Sequence, residues 1–233
     1  MNSLEDKQSI DVIIPVFNGS RTISRAIMSI QSQSYAGRIS IYAIDDCSTD
    51  DSIRILENLK NENENLFIKK NSQNIGNAAS RNIGYKLGSA SLVAFLDQDD
   101  VWRSDKLSLQ VKAITANPEI GYLVGMQEFK LLDSNNVPRW FNIEWSKAAQ
   151  PGFVPSTLII QRSILNLVGE FSEDMRIGSD TDWFARARRM GIPYKLLPEV
   201  LVDREIHSNN LSANTGSNIE YLRMLKIHLD AKK

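Results

Sequence analysis

Short apolar runs alternate with helical patterns along the first half of the chain. β-rich runs occupy residues 11–17, 38–44, 66–70 and 91–96. The segments between them carry apolar residues at helical spacing, as in Ile23, Ile27 and Ile30. Strands that alternate with helices predict an α/β fold, with a mostly parallel sheet in the middle and helices on both faces.

The second half has a less regular pattern. A helix is predicted at residues 103–117, followed by strand-like pieces at 120–132 and 153–161, a short helix at 163–168, a helix at 180–190 and a strand at 193–202. No Gly/Ser-rich or Pro-rich linker separates this part from the first, which indicates an α+β extension packed on the sheet. We therefore expect one domain over residues 1–233, with halves at about 10–117 and 118–212 and a C-terminal helix at 213–233.

Polar residues follow three of the predicted strands. Phe17 ends the first strand and Asn18 follows it, Asp45 and Asp46 follow the second, and the sequence DQDD at residues 97–100 follows the fourth. Ligands of open α/β sheets bind beyond the carboxyl ends of the strands. The sequence therefore predicts a ligand site at a rim where two of three strand ends are acidic.

Asp97, Asp99 and Asp100 are candidates for a metal site. In an extended segment Asp97 and Asp99 share one face, and two close carboxylates repel unless a cation lies between them. Mg²⁺ and Mn²⁺ take carboxylate ligands together with substrate phosphates. We therefore predict a metal–diphosphate site, with a solvated acidic turn before the next helix as the alternative. For Asp45 and Asp46, chemistry leaves two roles open: charge at a helix N-terminus, or an acceptor for a nucleobase imide or a ribose hydroxyl.

Composition narrows the class of protein. The 42% hydrophobic content allows a folded core. The net charge of −1 argues against nucleic-acid binding, which relies on a basic surface. Cys47 is the only cysteine, which excludes an intramolecular disulfide and a thiolate metal cluster. No apolar stretch approaches the roughly 20 residues of a membrane span, and the N-terminal segment does not read as a signal peptide. We expect a cytoplasmic protein, either in solution or at the inner face of the membrane.

Seven segments carry a resemblance to a known family. They are DVIIPVFNGSRTISRAIMSIQSQS, IDDCSTDDS, NIGNAASRNIG, VAFLDQDD, STLIIQRSILNLVGEFSED, GSDTDWFARARRMG and REIHSNNLS. In this order and spacing they resemble glycosyltransferase family 2 enzymes with the GT-A fold, over about residues 10–212. The resemblance implies a Rossmann-like half that binds a nucleotide-sugar and a second half that binds the acceptor.

The resemblance gives roles to residues of the first half. Pro15 and Phe17 match the segment that flanks the nucleobase, where the family usually has Tyr in place of Phe17. Asp46 matches the acid that binds the uracil imide, with Asp45 beside it. Arg81 matches a basic residue near the nucleotide.

The acidic triplet covers the DxD motif of the family. Asp97 or Asp99 is expected to meet the ribose and sugar hydroxyls, and Asp99 or Asp100 to bind Mn²⁺ or Mg²⁺, with Asp99 the preferred ligand. His207 matches a loop that closes over the diphosphate. There His207 is expected to be a further metal ligand and Arg204 to neutralise phosphate.

Asp180 matches the catalytic base of the family. The family commonly has Glu-Asp here, and this chain has Ser179-Asp180, so the leading acid is missing. Asp182 is interpreted as structural. Trp102 is a candidate wall of the sugar pocket and Trp183 a candidate contact to the acceptor, with plain packing as the alternative for both.

The function implied is metal-dependent, inverting transfer of one sugar from a nucleotide donor, a UDP-sugar, to an acceptor hydroxyl. The acceptor would be a glycan or a lipid-linked intermediate of lipopolysaccharide, capsule or exopolysaccharide, and a peptide acceptor stays open. The chain lacks the Gln-x-x-Arg-Trp motif and the membrane helices of processive synthases. Three alternatives remain. A sugar nucleotidyltransferase would carry a Gly-rich, basic loop after the first strand, which PVFNGSRT matches poorly, and a phosphatase with an aspartyl nucleophile would need a strand end that DQDDV matches only in part. The third alternative is a nucleotide-sugar-binding module without catalysis.

Overall fold

The computed structural model describes residues 8–131, 137–138 and 141–207. The predicted C-terminal helix at residues 213–233 lies outside these residues. Within the described ranges, no helix combines the length and the hydropathy needed to cross a membrane.

Strands and helices follow one another in the first half as predicted. The strands are β1 (Ile10–Val16), β2 (Ile39–Asp45), β3 (Leu66–Lys70), β4 (Leu92–Phe95), β5 (Asp100–Trp102), β6 (Tyr122–Leu131), β7 (Gln150–Gly152), β8 (Ile159–Gln161) and β9 (Tyr194–Ile206). The helices are α1 (Ile23–Gln31), α2 (Ser52–Asn61), α3 (Asn77–Leu87), α4 (Lys106–Ala116), α5 (Arg162–Val168) and α6 (Ser179–Arg189). Two 3₁₀ segments, Ile143–Lys147 and Pro155–Thr157, lie in the second half.

The strands form one sheet in the order β3-β2-β1-β4-β8-β6-β9-β5, with β7 paired to β6. The first four strands pair in parallel, as βαβ connections require. The remaining pairs are mixed, because β8 runs antiparallel to β4 and β6, β5 is antiparallel to β9, and β6 is parallel to β9. The sheet is therefore a parallel α/β unit extended by a mixed α+β part.

One predicted strand is shorter than expected. The pattern at residues 153–161 predicted a continuous strand, whereas Pro155–Thr157 forms a 3₁₀ turn and only Ile159–Gln161 pairs in the sheet. Pro155 has no N–H to give to a ladder, and Thr157 N donates to the Val154 carbonyl instead. This turn brings Ser156 close to the end of β4.

The two faces of the sheet carry separate apolar clusters. Val12 and Ile14 pack with Ile27 of α1 on one face, and Ile13 packs with Trp183 of α6 on the other. Successive strand residues point to opposite faces, and helices cover both, so β1 is buried along its whole length. Burial on both sides fixes the central strands as a rigid support for the residues that follow them.

The parallel register aligns the carboxyl ends of three strands. Val16 at the end of β1 pairs with Asp45 of β2, and Ile13 of β1 pairs with Phe95 at the end of β4. The segments after β1, β2 and β4 therefore leave the sheet at the same edge, as the sequence predicted.

Candidate active site

A cleft of about 830 Å³ opens at this edge of the sheet. Nine of the residues singled out in the sequence line it: Pro15, Phe17, Asp46, Arg81, Asp97, Asp99, Asp180, Arg204 and His207. Six of them come from the first half of the chain. The other three are Asp180 on α6, Arg204 on β9 and His207 directly after β9. Both halves of the chain thus contribute to one concave surface.

Neither tryptophan singled out in the sequence reaches the cleft, contrary to the expectation for Trp102 and Trp183. Both are buried, and their indole N–H groups donate to backbone carbonyls, of Ser156 at 2.7 Å and of Gly169 at 3.0 Å respectively. A buried indole gains from apolar packing provided that its N–H finds an acceptor. The packing alternative describes both side chains.

Asp45 and Asp100 lie behind the cleft. Asp45 is fully buried and accepts a hydrogen bond from Ser48 N at 3.3 Å. Asp100 is buried and accepts from the Ser156 hydroxyl at 2.5 Å. Burial raises the pKa of Asp100 well above its usual range, although the nearby Arg204 opposes the rise. Of the neighbouring residues Asp99 and Asp100, it is Asp99 that lines the cleft.

The DQDD segment forms a turn and not the extended run that the sequence predicted. Asp100 N donates to the Asp97 carbonyl at 3.1 Å, which closes a four-residue turn. Asp97 and Asp99 both reach the cleft from this turn. Their convergence therefore comes from the turn and not from the alternation of a strand.

Ser156 holds the turn from its inner side. Its hydroxyl donates to the carboxylate of Asp100 and accepts from Asp97 N at 3.1 Å, and the serine itself is fully buried. Nothing in the sequence pointed to this serine, because its segment read as a strand. Ser156 is a structural residue of the site that sequence reasoning missed.

We expect Ser156→Ala to lower the free energy of unfolding by about 1–3 kcal/mol, because a buried acceptor and a buried donor lose their partner together. Denaturant unfolding measures the change. Ser146→Ala is the matched control, since Ser146 is only half-buried and its hydroxyl donates to the Ile143 carbonyl of its own 3₁₀ segment; surface changes of this kind cost within about 0.5 kcal/mol. Equal stabilities for the two variants would contradict the assignment.

Arg204 lies among four carboxylates. Burial lowers its pKa, but Asp100, Asp97, Asp99 and Asp180 raise it, and the net direction is upward. Its Nε is 3.8 Å from Asp100 Oδ2. The guanidinium therefore stays charged, and together with Arg81 it balances only part of the negative charge that Asp97, Asp99 and Asp180 bring to the cleft.

Asp99 and His207 face each other in the cleft, with Oδ2 and Nε2 at 3.2 Å. Among the residues that the structure describes, no group of three His, Cys, Asp or Glu side chains forms a metal cluster. The protein thus offers one carboxylate and one imidazole at this point. Mg²⁺ and Mn²⁺ sites commonly use few protein ligands and complete their shell with substrate phosphates and water, so this donor set fits either ion.

Asp46 organises the loop before α3. Its Oδ1 accepts from Asn71 Nδ2 and Ile75 N, both at 2.9 Å, and its Oδ2 accepts from Gly76 N at 2.7 Å. By lone-pair count Oδ2 can take one more donor. Asp46 is thus an acceptor held in a fixed position in the cleft wall. Asn71 is a second supporting residue that the sequence did not reveal.

Phe17 and Arg81 line the same cleft as Asp46. The Phe17 ring is 40% exposed, which leaves an aromatic face open at the cleft. Arg81 is buried, donates to Asp97 Oδ1 at 2.5 Å and lies 5.7 Å from the Phe171 ring centroid. Arg81 thereby fixes the Asp97 carboxylate while it borders the cleft.

Asp180 enters the cleft from the first turn of α6. The residue before this helix, Gly178, has φ +85°, a left-handed conformation that favours glycine. Asp180 Oδ1 accepts from Thr181 N at 2.8 Å, whereas Asp182 is buried and pairs with Arg186 at 2.8 Å. The helix therefore turns one carboxylate toward the cleft and the next toward the interior.

Two relatives of the chain are named glycosyltransferases. Over 166 residues it is 28% identical to the Escherichia coli UDP-Glc:alpha-D-GlcNAc-diphosphoundecaprenol beta-1,3-glucosyltransferase WfgD, which covers 69% of this chain and 63% of WfgD. Over 106 residues it is 33% identical to the Bacillus subtilis putative teichuronic acid biosynthesis glycosyltransferase TuaG, covering 46% of this chain and 42% of TuaG. The chain spans less than two thirds of either relative.

Two solved structures share the fold. The mannosyltransferase PcManGT from Pyrobaculum calidifontis, in complex with GDP-Man and Mn²⁺, aligns with a TM-score of 0.73 at 20% identity, over 97% of this chain and 64% of that one. S. aureus TarS 1-349 in complex with UDP-GlcNAc aligns with a TM-score of 0.72 at 19% identity, over 94% and 66%. These alignments confirm the predicted GT-A class of α/β fold.

The family itself is established by sequence. Residues 11–179 match Glycosyl transferase family 2, a span of more than half the chain. This match includes the three strand ends and the DQDD turn, and it ends at Ser179, the first residue of α6. The chain belongs to glycosyl transferase family 2.

Proposed function

We propose that this chain is a metal-dependent, inverting glycosyltransferase that moves one sugar from a UDP-sugar to an acceptor hydroxyl. One observation carries the proposal: a single cleft contains the Asp180 carboxylate, the Asp99–His207 pair and a wall formed by Phe17 and Asp46. A base, a cation site and a nucleobase site are the three parts that such a transfer needs.

The nucleobase would lie against Phe17. Its exposed ring offers a stacking face, and the remaining lone pair of Asp46 Oδ2 can accept the imide N–H of uracil. The complex of the TarS relative with UDP-GlcNAc supports a uridine donor. The complex of PcManGT with GDP-Man makes a guanosine donor the alternative.

Asp99 and His207 would hold a divalent cation at the donor diphosphate. When bound, the ion supplies neutralisation of the negative charge on the leaving nucleoside diphosphate. Arg204 adds a fixed positive charge on the same side of the cleft. Arg81 keeps Asp97 in place, and Asp97 accepts hydroxyl hydrogen bonds from the ribose or the sugar.

Asp180 would act as the general base. It removes the proton of the acceptor hydroxyl as that oxygen attacks the anomeric carbon. Inversion follows from attack on the face opposite the leaving group, which matches a base on α6 and a diphosphate site at the DQDD turn. One base is sufficient, because a neutralised diphosphate leaves without taking up a proton.

The acceptor would approach from the second half and be a cell-surface glycan or its lipid-linked intermediate. Phe129, Phe141 and Trp145 form an aromatic cluster, with Trp145 44% exposed. The Arg204 guanidinium lies 5.8 Å from the Phe129 ring and joins this cluster to the cleft. The acceptor in the name of WfgD, a sugar on diphosphoundecaprenol, supports a lipid-linked substrate and action at the inner face of the membrane.

A screen of nucleotide-sugars tests the proposal. With Mn²⁺ present, we expect a UDP-sugar to raise the melting temperature and to be slowly hydrolysed, and we expect smaller shifts without the ion, because ligands that bind only the folded state stabilise it. A shift with GDP-Man alone would move the donor to guanosine. If no nucleotide-sugar shifts the melting temperature, the proposal is wrong. Binding without transfer to any acceptor would favour a binding module.

A further inference from the structure

Gln98, the residue between Asp97 and Asp99, makes a paired contact with the end of β1. Its Oε1 accepts from Phe17 N at 2.8 Å, and its Nε2 donates to the Phe17 carbonyl at 2.9 Å. Both backbone groups of Phe17 are thus bound by one side-chain amide. The contact joins residues 81 positions apart in the sequence.

This contact prolongs the pairing of two strands beyond their ends. The register between β1 and β4 ends at Ile13 and Phe95, after which Leu96 N donates to the Ile13 carbonyl. Further along, the Gln98 amide takes the place of a backbone partner for Phe17. The acidic turn is therefore fastened to the nucleobase wall as if the sheet continued.

Gly19 leaves room for the amide. A Cβ built on Gly19 would lie 2.7 Å from Cδ of Gln98, closer than real Cβ contacts come. The three nearest atoms to this position all belong to the Gln98 side chain. A side chain at position 19 would therefore push the amide away from Phe17.

The two segments that Gln98 connects have separate supports of their own. On the nucleobase side, Asn18 N donates to Ser48 Oγ at 3.0 Å and Gly19 N to Ser52 Oγ at 2.8 Å. On the side of the acidic turn, Ser156 binds Asp97 N and the Asp100 carboxylate. Without the Gln98 amide each segment would stay folded, but the distance between the two segments would no longer be fixed.

We propose that Gln98 is a positioning residue that sets the spacing between the nucleobase wall at Phe17 and the cation and diphosphate site at Asp99. This inference rests on the proposed function. A nucleoside diphosphate binds at both places at once, and the two contacts reinforce each other only while their separation fits the ligand. Gln98 holds that separation before the donor arrives.

Calorimetry with UDP and with uridine tests the spacing role. In the presence of Mn²⁺, Gln98→Ala is expected to bind UDP about tenfold more weakly, while uridine, which lacks the diphosphate, binds within about twofold of wild type. UDP affinity within about twofold of wild type would overturn the proposal, as would equal losses for UDP and uridine, since a local nucleobase role predicts those.

Gly19→Ala provides a second route to the same defect. Alone it should weaken UDP about as much as Gln98→Ala, and in the Gln98→Ala background it should add less than about twofold, because both changes act through one contact. Additive losses would contradict that coupling. Gln161→Ala is the matched control, since its amide also binds backbone carbonyls, of Pro118 and Ile120, but outside the cleft; its UDP affinity should stay at the wild-type value.

The wild-type protein separates failure of this inference from failure of the proposed function. If wild type binds neither UDP nor GDP with Mn²⁺, the proposed donor site is wrong. If wild type binds UDP and Gln98→Ala binds it equally well at unchanged melting temperature, the donor site stands and the role of Gln98 is wrong. Steady-state kinetics should agree, with the donor KM raised about tenfold and the acceptor KM unchanged.

Discussion

Asp180→Asn is expected to lower the rate of sugar transfer by about 10²–10⁴-fold while UDP affinity stays within about twofold of wild type. The amide keeps the size of the side chain and its bond to the start of α6, but it cannot take the acceptor proton. The carboxylate lies in the cleft at a helix start fixed by Gly178. Transfer assays with saturating donor, together with calorimetry for UDP, measure the two quantities separately.

The matched control is Asp174→Asn, an exposed aspartate shortly before α6 that does not line the cleft. It should transfer sugar at the wild-type rate. Transfer by Asp180→Asn at the wild-type rate would show that Asp180 is not the base. A parallel fall in UDP affinity would instead indicate that Asp180 contacts the donor, which is also compatible with its place in the cleft.

Asp99→Asn should lower metal-dependent transfer by about 100-fold, which corresponds to about 3 kcal/mol of lost charge stabilisation. The substitution removes the carboxylate that faces His207 and leaves a neutral amide, a weaker ligand for Mn²⁺. We also expect Mn²⁺ to lose its ability to strengthen UDP binding in this variant. Calorimetry for UDP with and without the ion measures this effect without an activity assay.

Asp51→Asn is the control for a lost aspartate charge, because Asp51 is exposed and pairs only across the surface with Arg54. Its response to Mn²⁺ should equal that of wild type. Should Asp99→Asn still respond fully to the ion, the metal ligand lies elsewhere. Asp100→Asn would then be the variant to compare, with its melting temperature recorded because Asp100 is a buried partner of Ser156.

The rim of the cleft was predictable because it follows from the sheet. Alternating strands and helices require parallel pairing, and parallel pairing aligns the strand ends that carry Phe17, Asp46 and Asp97. The family motifs then added Asp180, Arg204 and His207, which pattern reasoning could not have placed beside that rim. Their positions depend on β9 and α6, whose partners are distant in sequence.

The direction of each carboxylate was not predictable in the same way. Whether Asp99 or Asp100 faces the cleft is decided by a turn that Ser156 stabilises from 56 positions away in the sequence. An acidic run in the sequence contains no record of that contact. Trp102 and Trp183 illustrate the same limit, since aromatic residues next to site motifs belong to the two apolar clusters of the sheet.

The pairing of β5 with β9 makes the acidic turn depend on the last described strand. Asp100 of β5 pairs in register with Arg204 of β9. Directly after β5, Arg103 binds Asp203 across 100 positions of sequence. Contacts of such sequence separation form late, because a long loop must close before they are made. A growing chain that has not yet reached β9 therefore has Arg81 to pair with Asp97 but lacks Arg204 beside Asp99 and Asp100. The cleft can be completed only after β9 has been synthesised and has paired with β5.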